Sequence, residues 1–342
     1  MTAVSQPGLS DSLTPALMRL LFGFQATQIA TTLVRLRIDD ALAGGSRSVA
    51  ELAEAVGASG DGLGRLLRAA ATLRLVREPA RDCFELTELG TGLHANRDLA
   101  GFLGGVLYLV HSRLSDAVVS GQPVSRDVLG APLWEYLSSR PDEQADFHRG
   151  MAASARAQTG AIVQTIDLSR FRRIVDVGGG RGKNLSAMLR AAPQANGVLF
   201  DQQQVIAGAG ELFAAEGLNE RVELVEGSFL ESVPTGGDLY VLKGVVLNWD
   251  DEGARLILRR CAEAAPEGAT LLLVESVLPE SRESSFLDLF MLVALGGRQR
   301  TVKEHQALLH DTGWQFDSVH EVPQPLYVGS LMLMEAHRTA NT

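Results

Sequence analysis

The chain has 342 residues, enough for two domains and a sizeable core. Its two cysteines, Cys83 and Cys261, are far apart in sequence, which excludes a disulfide framework and a cysteine-based zinc site. A net charge of −10 disfavours unspecific attraction to nucleic acid or anionic membranes, and the longest apolar run, residues 100 to 110, is too short for a bilayer; with no export signal, the expectation is a cytoplasmic globular protein.

Residues 15 to 42, 62 to 76 and 99 to 119 carry apolar side chains at helical spacing, so the first half reads as helical. Ser48 is placed to cap a helix, with Glu51 at the capping-box position and Gly57 able to end it. Farther on, "LVRE" and "CFELTE" read as short strands joined by the turn residues "PARD", completing a winged-helix outline. That outline raises DNA contact, but residues 1 to 100 hold ten arginines, no lysine and eleven acids, so dimerisation or lid scaffolding is the expected role.

From about residue 172 the rhythm changes. "RIVDVG", "GVLF", "RVELVEG", "DLYVLKG" and "ATLLLVESV" are short apolar runs alternating with helical segments, which argues a mostly parallel sheet with helices on both faces. "WQFDSVHEV" and "LYVGSLMLMEAH" can pair as a hairpin at the sheet edge.

"IVDVGGGRGKN" sets Gly178, Gly180 and Gly182 between a strand and a helix. Glycine serves where the backbone turns sharply and approaches a ligand without a Cβ in the way. A dinucleotide fingerprint would need glycine at 183, where Lys183 stands. The observed spacing, with Asp176 two residues ahead, fits better a nucleoside whose tail is an amino acid; a tight turn without a ligand is the alternative. Asp201 ends the next strand, where a carboxylate can accept both ribose hydroxyls; alone it would more often be a turn or cap.

With "PLWEYL", "FHRGM", "NWDDE", "LLLVESVLPE" and "LDLFMLVALGGRQRT" added, the chain resembles the S-adenosylmethionine-dependent O-methyltransferases of small phenolic natural products, from about residue 20 to 337. The resemblance implies an α/β fold: a doubly wound, seven-stranded, Rossmann-like class I methyltransferase domain over residues 169–342. Residues 1–168 would form a helical, winged-helix-like dimerisation and lid domain, interlocked in a homodimer. It assigns Gly178 and Gly180 to the methionine portion of S-adenosylmethionine, Asp201 to the ribose, and Ser228 with Phe229 to the adenine. Lys243 and Trp249 would close the cofactor pocket. Met151 and Met291 would sandwich the acceptor, although polarizable core filling is an alternative for both.

One stretch departs from the family. "LKGVVLNWDD" puts Leu247, next to Asn248, where members carry the histidine that acts as general base, and Gln299 stands at one of its two flanking acids. Only the other acid remains, as Glu275. Base assistance is typically worth roughly 10² to 10⁴-fold, so methyl transfer here must rely on positioning, on an acceptor already nucleophilic, or on another base. His111, Phe147 and His148 fall in segments expected to border the acceptor pocket. Two other outcomes are compatible with these residues: a non-methylating reaction that uses the sulfonium as a fixed charge, and a ligand-sensing regulator.

Overall fold

The computed structural model describes residues 13–280, 286–322 and 330–339, the side chains at 13, 14, 148 and 151–157 excepted. The chain forms two compact units, Met1–Leu109 with Arg140–Ala152, and Val110–Ser139 with Ala153–Thr342. Among the described residues no single helix is long and apolar enough to cross a membrane.

In the first unit a three-stranded antiparallel sheet, β1 (Arg47–Ser48), β2 (Val76–Ala80) and β3 (Cys83–Leu86) in the order β1-β3-β2, backs the helices Val49–Val56 and Gly60–Thr72. Ser48 and Glu51 form a reciprocal capping box, and Gly57 ends the helix in the left-handed region. Leu33, Ile38, Leu52, Leu67 and Phe84 are buried together. The two longest helical stretches read from periodicity are interrupted. Residues 15 to 42 break at Phe22 and at Arg37, whose φ is +58°, into Leu13–Leu21, Gly23–Arg35 and Ile38–Leu42. Arg97–Leu103 stops at Gly104, where a Cβ would overlap Thr31; Gln28 Nε2 donates to the Gly104 carbonyl at 2.9 Å. The Thr31 side chain packs directly on the Gly104 backbone, a contact between distant segments that periodicity does not encode.

The second unit is built on seven strands: β4 (Arg173–Val177), β5 (Asn196–Asp201), β6 (Val222–Glu226), β7 (Leu239–Lys243), β8 (Thr270–Val277), β9 (Trp314–Val322) and β10 (Ser330–Arg338). Their order is β6-β5-β4-β7-β8-β10-β9; neighbours from β6 to β8 are parallel, and β10 is antiparallel to both β8 and β9. The first four residues of the last expected strand, "LYVG" (326–329), lie outside the described residues. Alternate side chains enter two cores, Val175, Tyr240 and Leu242 on one face, Ile174, Leu239 and Val241 on the other. Burial on both faces is why these strands read as nearly unbroken apolar runs. The chain moves from β4 to β5 on one side and later to β7 on the other, so a crevice opens at the carboxyl ends of these strands, the usual ligand position in such sheets.

Candidate cofactor and acceptor site

The loop after β4 turns on glycines whose φ values are +69° at Gly178, +61° at Gly180 and +79° at Gly182, a region that strongly favours glycine. A Cβ on Gly178 would come within 2.9 Å of Val245 and 3.5 Å of the Phe229 ring, whereas nothing lies within 4 Å of one on Gly180. The loop is therefore packed at its start and open at its middle. Asp201, at the end of β5, ties down that open part: its Oδ2 accepts from the Gly180 N–H at 2.8 Å and its Oδ1 from the Gln202 N–H at 2.7 Å. Burial raises its pKa, against those two donors.

Asp176 differs from the lining position that the sequence suggested. It is 1% exposed and lies beneath the loop, its Oδ2 2.8 Å from where a Cβ on Gly179 would sit. Burial pushes its pKa up to about 7; Lys243 and the Leu185 N–H oppose this, while Asp201 adds to it. Asp176 supports the loop from below. Lys243, at the end of β7, has its pKa lowered by burial, while Asp176 and Glu275 pull it back up. The rings of Phe229 and Trp249, both half-buried, meet edge to face with centroids 6.0 Å apart. Beside them Ser228 Oγ accepts from the Leu230 N–H at 3.3 Å, shaping the turn after β6.

Leu247 lies in a 3₁₀ turn, Val246–Asn248, and is 7% exposed. Glu275, wholly buried on β8, accepts the Val245 and Val246 N–H groups on Oε1 at 3.1 and 2.8 Å. Burial pushes its pKa up to about 8, against the amides of Val246, Val245 and Leu247 and the charge of Arg300. The Leu247 carbonyl accepts from the Arg298 N–H at 2.9 Å, and Asn248 Nδ2 donates to the Gly244 carbonyl at 3.0 Å. Gln299 does not simply leave a gap where an acid was expected: its Nε2 donates to Ser276 Oγ at 2.9 Å, and its backbone N–H to Asp288 Oδ1 at 2.7 Å. The turn is thus held by bonds to its main chain, and an alkyl group occupies the position expected for the base.

The remaining candidates divide between the units. Met291 is buried at the start of a π-helical turn, Met291–Leu295, in the second unit. A cleft of about 400 Å³ there is lined by Asn248, Trp249, Leu133, Trp134, Ala294 and Leu295. A larger one, about 650 Å³, lies at the amino ends of β8 and β9 around Arg259, Thr312 and Arg338, the end of the sheet opposite the glycine loop. His111 ends the helix Val106–His111 and is half-buried. In the first unit Phe147 packs edge-on against Phe102, centroids 4.9 Å apart. The side chains of His148 and Met151 lie outside the described residues. Arg300 and Asp251 were not singled out from the sequence, yet they clamp the Leu247 turn; an arginine amid "GGRQRT", after glycines that admit a close backbone, was the available signal.

Residues 111–315 match the family profile of the O-methyltransferase domain, and residues 18–96 that of the O-methyltransferase dimerisation domain. The chain is 33% identical over 315 residues to the phenazine O-methyltransferase PhzM of Lysobacter antibioticus, covering 90% of this chain and 92% of that protein. It is 36% identical over 299 residues to the 8-amino-8-demethylriboflavin N,N-dimethyltransferase of Streptomyces davaonensis, covering 84% and 86%. Among solved structures, the O-methyltransferase NcsB1 from neocarzinostatin biosynthesis, in complex with S-adenosyl-L-homocysteine and 1,4-dihydroxy-2-naphthoic acid, superposes with a TM-score of 0.83. The identity there is 32%, and the match covers 92% of this chain and 96% of that one.

Proposed function

Because the chain belongs to the S-adenosylmethionine-dependent O-methyltransferase family, we propose that it methylates a small aromatic acceptor of natural-product biosynthesis whose nucleophile needs no deprotonation by residue 247. The single observation that carries this is Leu247 itself, apolar, buried and set in a turn held through its main chain. A simple phenol has a pKa of about 10 and is a weak nucleophile when protonated. An amine, or an enol or phenol acidic enough to be ionised at neutral pH, needs no base. The similarity to a protein named as an N,N-dimethyltransferase supports an amine among the candidates.

The residues present fit the cofactor. Gly180 leaves open space where an amino-acid tail would pass, and each oxygen of Asp201 spends one lone pair on a backbone N–H and keeps another for a ribose hydroxyl. Gly178 would line the tail, Ser228 and Phe229 would receive the adenine, and Lys243 and Trp249 would close the pocket. When bound, the sulfonium supplies an electrophilic methyl group. The protein's part is to orient the acceptor against Met291, with His111 as a further candidate in the same unit, and to exclude water around Leu247. In this reading residues 1–168 serve as the dimerisation and lid region of a cytoplasmic homodimer, and 169–342 as the cofactor domain. The match of residues 18–96 to a dimerisation domain supports the dimer, which sedimentation would check.

The test is a panel of arylamines, acidic enols and simple phenols incubated with methyl-labelled donor. Label should enter the amines or acidic hydroxyls, with S-adenosylhomocysteine accumulating; preferential methylation of a phenol of ordinary pKa would overturn the proposal. Product formed while the donor stays unconsumed would show the sulfonium acting as a fixed charge instead. Asp201→Ala should weaken S-adenosylhomocysteine binding by about 10 to 100-fold, the worth of hydrogen bonds to a charged group.

A further inference from the structure

Arg300 is 1% exposed, and a guanidinium carries five N–H donors in a fixed plane. All five are used. Nε and Nη2 both reach Asp251 Oδ1, at 3.0 and 2.8 Å; Nη2 also donates to the Trp249 carbonyl at 3.0 Å. Nη1 donates to the carbonyls of Val246 and Arg298 at 3.3 and 3.4 Å. Two of these acceptors, the carbonyls of Val246 and Trp249, bracket Leu247 and Asn248. Asp251 begins the next helix; burial works against its charge, but the bond and charge of Arg300 keep its pKa below the ordinary carboxylate value. Gly297 comes so close that a Cβ on it would overlap the Leu247 carbonyl. Backbone touches backbone there, and the arginine staples the two segments together.

We propose that Arg300 and Asp251 are positioning residues for the transfer reaction: they hold the Val246–Trp249 main chain so that Trp249 is presented to the cofactor, which neither of them touches. This rests on the assignment of Trp249 to the cofactor pocket. Lysine, with three donors on a mobile stem, cannot make the five hydrogen bonds that Arg300 makes to these four acceptor atoms, so the role belongs to arginine. A staple that only stabilised the fold would lower the melting temperature without altering cofactor affinity in the molecules that remain folded.

The experiment titrates S-adenosylhomocysteine by calorimetry into the unsubstituted chain, Arg300→Met, Arg300→Ala and Asp251→Asn. Hydrogen exchange of residues 244–252 and circular dichroism are followed alongside. Folded Arg300→Met should bind about tenfold more weakly or worse, with faster exchange confined to residues 244–252. Asp251→Asn should lose less, in the same direction. Millimolar methylguanidinium should restore part of the affinity of Arg300→Ala, which a merely structural role would not allow. Unchanged affinity in a folded Arg300 variant overturns the proposal. Should the arginine variants fail to fold, Asp251→Asn decides, since it keeps the guanidinium on its three carbonyls, and normal binding there overturns the proposal. Absence of binding by the unsubstituted chain would remove the cofactor assignment itself and the proposal with it, an outcome distinct from equal binding by all four chains.

Discussion

The glycine loop after β4 and the turn after β7 sit at the carboxyl ends of neighbouring parallel strands, yet they are held in opposite ways. The first is shaped by its own residues, three glycines in the left-handed region, and tied by one carboxylate from the adjacent strand. The second is shaped by side chains and backbone from β8 and residues 297 to 300, all bonding to its main chain. No bond that holds the second turn uses the side chain at 247. A position so held can carry different side chains without loss of the turn's geometry, whereas the glycine loop, with three φ values in the left-handed region, has little freedom to change. In the proposed function, that difference would let the side chain at 247 vary while the loop is kept.

The sharpest way to break that comparison is to restore the expected residues. Leu247→His with Gln299→Glu should raise methyl transfer to simple phenols by up to roughly 10² to 10⁴-fold, measured with labelled donor. No gain would mean that the turn, or the pocket around it, has moved as well. Next in size, Gly297→Ala should destabilise the chain by about 3 kcal/mol, because its Cβ has only rigid backbone to displace. Gly180→Ala, with open space but a φ of +61°, should lose only about 1–2 kcal/mol of conformational strain. Urea midpoints of the two variants measure the contrast, and equal losses would remove the distinction between close approach and backbone strain.

The last effect, spread over several pH units, is a pH dependence. Glu275 has its pKa raised from an ordinary 4.5 to about 8, so the folded chain holds a proton that the unfolded one has released between those values. Stability should therefore fall as pH rises through that window, by at most about 1.4 kcal/mol per pH unit from this group. Glu275→Gln keeps an oxygen for the Val245 and Val246 amides and should flatten the slope. Asp176, raised to about 7, should leave a residual slope below that pH.

What could be read from the sequence follows the same division. The glycine loop, Asp201, the Ser48 capping box and the apolar strands announce themselves because their structural causes are local: a spacing, a cap, a run. Arg300 did not, because its acceptors are chiefly main-chain carbonyls about fifty residues earlier, to which no residue type is a guide. Gly104, where a helix ends, packs against the side chain of Thr31, more than seventy residues away. Gln299 reads as a lost acid in the sequence, but the hydrogen bond its side-chain amide donates to Ser276 follows from a pairing only the fold supplies. Asp176 shares a motif with Gly178 and Gly180, and only the packing of Gly179 over it shows that it faces inward.

The placement of β10 bears on how the chain is made. It follows β9 in synthesis but lies inside the sheet, antiparallel to β8 on one side and β9 on the other. Until residues 330 to 338 leave the ribosome, β8 presents a bare apolar rim and β9 has nothing to pair with, the kind of exposed edge that recruits other chains. Nascent molecules stalled short of that point should be caught by chaperones or aggregate, even though every residue of the glycine loop has already been translated.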